Sequence, residues 1–317
     1  MFPTGCTPAS EDLSIGHPSP MLSTMTDLIW ADRPELERPV LIAAFAGLFD
    51  VGEAATSAVQ ALADRWPAHP VARIDPETYF DFTQQRPLVQ TVDGRREIIW
   101  PENECIAVRP SQAGAGAHDL VLLAGIEPHL RWTSFCQHVA TVAAELSVEM
   151  VVTLGAAPGR QPHNRPFQIT SSCTNADLAR RLGVGRPSYQ GPTGVVGVLH
   201  DTFHRLDVPV LSVRTAVPPY VMGSPNPKAR SALLRHLASV LGIETGHEAD
   251  RQQVLAWEQQ VDEALSTDPE ALAFVRQLEE DFDRTTPTMD DGEELSLVDG
   301  DDLAAEVESF LREQNDP

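Results

Sequence analysis

Lysine is nearly absent from this chain: Lys228 is the only one, beside 22 arginines. That excludes a Walker phosphate loop, which needs Gly-Lys-Ser/Thr, because Lys228 is flanked by Pro227 and Ala229. Schiff-base chemistry would have to use this one amine. Cysteine is also scarce. Cys6, Cys105, Cys136 and Cys173 form no CxxC pair, so neither a disulfide framework nor a zinc knuckle is indicated. Reduced, buried thiols are expected, together with a cytoplasmic location. There is no GxSxG elbow and no nucleophile signature around any cysteine. Long apolar runs are missing too. The most apolar early stretch, Val40 to Phe49, is ten residues, too short to span a bilayer. No secretory signal is visible, so no membrane association is expected.

Charge is present and unevenly placed. Residues 1–243 hold 23 acids and 19 bases, while residues 244–317 hold 23 acids and 4 bases. The net charge of −23 therefore belongs mostly to the C-terminal quarter. Such a surface repels phosphate backbones, which argues against nucleic-acid binding. It either attracts a basic partner or serves as a solvated tail.

Three regions follow. Residues 1–37 read as a flexible segment, rich in Pro, Ser and Thr over the first 24, with Met21 and Met25 as alternative starts. Residues 38–243 read as an α/β core. Val40 to Ala46 is a short, continuous apolar strand, a Gly turn follows at 47–52, and Glu53 to Trp66 has helical spacing stopped by Pro67. Further strands are expected at Val71–Ile74, Asp119–Ala124, Val148–Leu154 and Val208–Val213, and a hairpin at Leu88–Trp100 turning on Asp93-Gly94. Helices are expected over Trp132–Leu146, from Asn175 to Leu182, over Val195–Leu206 and over Ala229–Leu241. Loops fall at 113–117, 156–166 and 218–227. Alternating strands and helices predict a mostly parallel sheet covered on both faces.

Residues 244–317 read as an acidic α-helical extension. Glu248–Leu265 and Pro269–Arg284 carry broad apolar faces, and Leu303–Leu311 carries a last one through Leu303, Val307, Phe310 and Leu311. These faces must be buried on the core, on each other or on another subunit.

The order of several stretches resembles the proteasome assembly chaperone family, in particular its bacterial members. They are RPVLIAAFAGLFDVGEAAT at 38–56, IDPETYFDF followed by RP within 74–87, and VDGRREIIWPEN at 92–103. LLAGIEPHLRW at 122–132, VVTLGAAPGRQPHNRP at 151–166, YQGPTGVVGVLHD at 189–201, and AVPPYV with SPNPKA within 216–229 complete the set. The resemblance implies a three-layer α/β/α sandwich of phosphorylase/hydrolase-like type, similar to the purine nucleoside phosphorylase fold. It also implies a homo-oligomer, usually a trimer, and proteasome core subunits or another protein as partners. Core-binding members often end in a hydrophobic residue, tyrosine and any residue. This chain ends Gln314-Asn315-Asp316-Pro317, so that docking mode is not expected.

Candidate ligand-binding residues each have a plainer alternative. Gly47, Asp50 and Gly52 surround the carboxyl end of the first strand and could cradle an anion at a helix start, or form a tight turn with Asp50 as cap. Gly191, Thr193 and Gly194 could do the same before the next helix, or supply a cap through Thr193. In a phosphorylase-like site Glu127 and Arg131 could bind a sugar hydroxyl and a phosphate, or pair with each other. His163, between Arg160 and Arg165, could bind an anion or act as an acid or base. His200 and His204 imitate a zincin pair, but Asp201 stands where Glu is needed and no third ligand is signposted. No complete catalytic set emerges, and no cofactor or metal is assigned. The expectation is a non-catalytic assembly or interaction protein. The alternative is an enzyme of nucleoside phosphorylase or hydrolase type acting on a small anionic metabolite.

Overall fold

The computed structural model describes residues 27–110 and 118–285. The expected loop at 113–117 and the expected helix at 303–311 lie outside the described residues, as does most of the N-terminal segment.

The centre is an eight-stranded sheet. Its strands are β1 (Leu28–Trp30), β2 (Val40–Ala46), β3 (Ala68–Ile74), β6 (Asn103–Val108), β7 (Leu120–Ile126), β8 (Met150–Pro158), β9 (Ile169–Cys173) and β10 (Val210–Val217). Their order is β1-β3-β6-β7-β2-β8-β10-β9. Alternation along β2 explains why its apolar run is continuous. Val40, Ile42 and Ala44 enter one core, and Leu41, Ala43 and Phe45 enter the other. Helices α1 (Ala54–Arg65) and α5 (Pro227–Leu241) cover the first face, and α2 (Trp132–Glu145) and α4 (Val195–Arg205) the second. The result is a three-layer sandwich.

The sheet is mixed rather than mostly parallel. β7, β2, β8 and β10 run parallel, but β1, β3, β6 and β9 pair antiparallel on the flanks. β1 was expected to be flexible, yet Leu28 is buried and Leu28–Trp30 pairs with Ile74–Ala72. The folded part therefore begins ahead of residue 38. β6 and β9 were missed because NECIAV and ITSSC carry too many polar residues to read as buried strands. The short helix α3 (Ala176–Leu182) is capped by Asn175, whose side chain accepts from the amides of Asp177 and Leu178.

Strands β4 (Leu88–Val92) and β5 (Arg95–Ile99) form a separate two-stranded ribbon. Asp93 and Gly94 both have positive φ, as the tight hairpin turn requires. Every residue of both strands is exposed. After Gly242, a short 3-10 turn leads into α6 (Arg251–Leu265), and α7 (Pro269–Thr285) follows. Trp257, Val261, Leu265 and Val275 join the core that contains α1 and α5.

Candidate functional site

The parallel strands end together, and a cleft opens there. β2 pairs with β8 only from Val40↔Met150 to Ala43↔Thr153. Beyond that register the strands part, and the 47–50 turn fills the gap, pinned by the Ala156 amide donating to the Phe49 carbonyl at 2.7 Å. Two cavities of about 550 and 420 Å³ meet across Phe49, Tyr189, Pro192, Thr193 and Gly194.

Glu127 is the organising side chain. It follows β7, and its position is set from below by Asn103, which is buried. The Asn103 side chain donates to the Ile126 carbonyl at 3.1 Å and accepts from its amide at 2.9 Å. This amide replaces a neighbouring strand at the point where β6 has diverged. The absence of a side chain at Gly125 makes it possible, since a Cβ there would overlap Asn103 Oδ1. Glu127 Oε1 then accepts the Val195 amide at 2.9 Å, at the N-terminus of α4. The carboxylate thus supplies the cap expected from Thr193, which is exposed and makes no side-chain cap bond. A carboxylate is favoured there by the unpaired amides and the helix dipole.

Two glycines fit around this carboxylate. A Cβ at Gly194 would lie 2.6 Å from Glu127 Oε1, and one at Gly47 would lie 2.8 Å from Oε2. Gly191 accommodates the Tyr189 ring, whose hydroxyl donates to the Pro192 carbonyl at 3.0 Å. The fold therefore gathers Gly47, Glu127, Thr193 and Gly194 at the first cavity, and Gly191 at the second.

Other candidates lie elsewhere. Asp50 is buried and caps α1: Oδ1 accepts from the amides of Ala55 at 2.7 Å and Thr56 at 3.1 Å, and Oδ2 accepts the Thr56 hydroxyl. Burial pushes its carboxyl up, opposed by these hydrogen bonds. Gly52, at φ 66°, packs against Asn226 at the start of α5. Arg131 is exposed as the residue before α2, and its expected ion pair with Glu127 is replaced by the bond to Val195.

His163 is 1% exposed and serves the extension instead. Its backbone amide donates to the Tyr220 hydroxyl at 3.0 Å, its Nδ1 meets the same hydroxyl at 2.9 Å, and its Nε2 meets Asp262 Oδ1 at 2.9 Å. Burial pushes the Tyr220 hydroxyl up to about 12, so it stays protonated in this chain of bonds. His200 and His204 do not form a metal pair. His200 Nε2 contacts the Thr153 hydroxyl at 2.8 Å, and His204 is exposed. No metal-holding cluster of His, Cys, Asp or Glu occurs among the described residues. Cys105, Cys136 and Cys173 are buried, and burial raises each thiol, the first two to about 12.

Sequence reasoning missed the second cavity's polar wall of Thr153, Ser172, Ser212 and Arg214. Those side chains sit on three different strands, and only pairing brings them together.

A mixed sheet between helical layers, with a cleft at the parallel strand ends, defines a three-layer α/β protein. The sequence model of the PAC2 family matches residues 44–265, and the chain belongs to that family. A PAC2 family protein from Streptomyces avermitilis is 40% identical, with a TM-score of 0.69, covering 75% of this chain and 99% of its own. A proteasome-assembly chaperone homologue from Mycobacterium tuberculosis is 38% identical, with a TM-score of 0.67, covering 74% of this chain and 99% of its own. An archaeal proteasome activator from Pyrococcus furiosus shares the fold at 16% identity and a TM-score of 0.59, covering 75% of this chain and 97% of its own. Among curated proteins none matches.

Proposed function

We propose that this chain is an assembly-type docking protein, working as a homo-oligomer, with a trimer the expected stoichiometry, and binding proteasome core subunits or another protein in the cytoplasm. The observation that carries the reading is the β4–β5 ribbon. Leu88 is 60% and Ile98 55% exposed, and Val89, Val92, Ile99 and Trp100 are exposed beside them. A two-stranded ribbon is marginal alone. Five exposed apolar side chains on this ribbon, with Trp100 directly after it, favour an interaction site over ordinary surface scatter. Membership of the PAC2 family and the likeness to a proteasome-assembly chaperone homologue support the same reading. No helix among the described residues is long and apolar enough to cross a membrane.

The two groups that an acid–base mechanism would recruit serve other ends. Glu127 holds α4, and His163 holds Asp262 on the extension.

The test is mass by light scattering for the native chain and for Leu88→Ser/Ile98→Ser, combined with co-purification using proteasome core subunits as bait. Both side chains are exposed, so the variant's stability should stay within ~0.5 kcal/mol. The reading requires a native oligomer that the variant loses, with partner recovery falling in parallel. A native monomer that captures nothing refutes it.

A further inference from the structure

The α4 side of the sheet changes character along its parallel strands. Val151 on β8 and Val210 on β10 are buried there in the apolar core with Leu199 and Phe203 of α4. One pleat further on, strand pairing puts Thr153, Ser212 and Ser172 side by side across β8, β10 and β9. Strand alternation turns all three to the α4 side. The next row sets Gly155 beside Arg214. This polar face is one wall of the second cavity, of about 420 Å³.

The Thr153 hydroxyl is engaged by His200 Nε2 at 2.8 Å. Ser172 and Ser212 are different. They are 5 and 6% exposed, and neither side chain makes a hydrogen bond to another described residue. Buried hydroxyls without partners are costly, so two of them facing one cavity call for a polar occupant. Arg214 adds a permanent positive charge, and no described Asp or Glu lines the cavity. Gly155 keeps the space open. Its φ is not positive, and a Cβ there would come no nearer than 3.4 Å to Arg214 Cγ. Neither strain nor crowding therefore requires glycine at this position.

We propose that the second cavity binds a small hydroxy-carboxylate, with its carboxylate on the Arg214 guanidinium and its hydroxyls on Ser172 and Ser212. One guanidinium matches a monoanion, and its planar fork takes both carboxylate oxygens. A phosphate monoester brings nearly two charges and would stay half uncompensated. The volume lies within the ~300–1,000 Å³ usual for small-molecule sites. The β4–β5 ribbon contributes no residue to this cavity, so the ligand site and the docking surface stand or fall separately.

The test is thermal unfolding of the full chain with sodium gluconate or sodium glycerate, against sorbitol, inorganic phosphate and sodium chloride at matched ionic strength. Calorimetry supplies the dissociation constants. At about 100 times its Kd a hydroxy-carboxylate should raise the melting temperature by roughly 5 °C. Sorbitol and chloride should not. Arg214→Met should weaken binding at least ~10-fold. Gly155→Val fills the cavity while keeping every polar side chain, and it should abolish binding. Leu88→Ser/Ile98→Ser should bind as the native chain does. The proposal fails if neither carboxylate binds, if sorbitol binds equally well, or if Gly155→Val leaves the affinity unchanged. Phosphate binding more tightly than both carboxylates overturns it as well. If one of the two cavity variants does not fold, the other and the sorbitol comparison decide the matter.

Discussion

Replacing Gly194 by alanine isolates the contact that organises the cleft. Gly194 has φ −94° and ψ −169°, an extended conformation open to any residue, so backbone strain does not enter. The new Cβ would sit 2.6 Å from Glu127 Oε1, too close to remain. The carboxylate is the movable partner, and moving it breaks its bond to the Val195 amide. Hydrogen bonds to charged groups contribute about 1.5–3 kcal/mol, and partial exposure of Glu127 places this one near the low end, ~1–2 kcal/mol. Gly194→Ala and Glu127→Ala should each cost about that much in urea unfolding. The double variant is decisive. With the carboxylate gone, alanine at 194 meets no obstacle and should cost nothing, or stabilise by ~0.4–1 kcal/mol through the unfolded chain. Non-additivity of ~1 kcal/mol or more is therefore expected, with the two changes together costing about as much as Glu127→Ala alone. Costs that add within ~0.3–0.5 kcal/mol would refute the argument that the glycine exists to admit the carboxylate. Glu127→Gln keeps an acceptor and loses only the charge at the helix start, so it should cost no more than ~1 kcal/mol.

Three further outcomes follow from individual side chains. Asp50→Ala removes every bond its carboxylate makes to the start of α1 and should cost ~0.5–2 kcal/mol in urea unfolding, with Asp50→Asn milder because one acceptor survives. His236 is half-buried against the Ser171 hydroxyl at 2.9 Å, and burial holds its protonation below the usual 6.5. A depressed folded value means its contribution is complete above 6.5 and lost as pH falls through the folded value, so the melting temperature of His236→Gln should decline less than the native one between about pH 7 and 5. Trp257→Ala empties the socket beside Phe167 and should cost ~3 kcal/mol or more of local stability; amide exchange should speed up in α6 while β2 and β7 stay protected.

Much of the fold was legible because the relevant physics is local. The hairpin at Asp93-Gly94, the caps at Asn175 and Asp50, and the buried strands β2, β7 and β8 all follow from residue preferences over a few positions. β6 and β9 were not legible. Their polar residues are satisfied by partners far along the chain, such as Asn103 by Ile126 and Ser171 by His236. Gly47, Glu127 and the 191–194 turn were each noticed alone. Their meeting in one cleft could not be read, because it depends on the crossing of β7 beside β2 and on the later return of α4.

By itself, then, the order of residues determined the α/β class, the strand cores, the scarcity of reactive amines and thiols, and the acidity of the C-terminal quarter. The tertiary structure alone decided what those charges do. It set Glu127 to cap a helix 68 residues away, and it set the extension's carboxylates on the bases of the 160–165 loop and α5. The physical reason is range. Propensity and hydrophobic period act between neighbours, whereas a charge finds its partner only after packing has brought distant segments within hydrogen-bond reach.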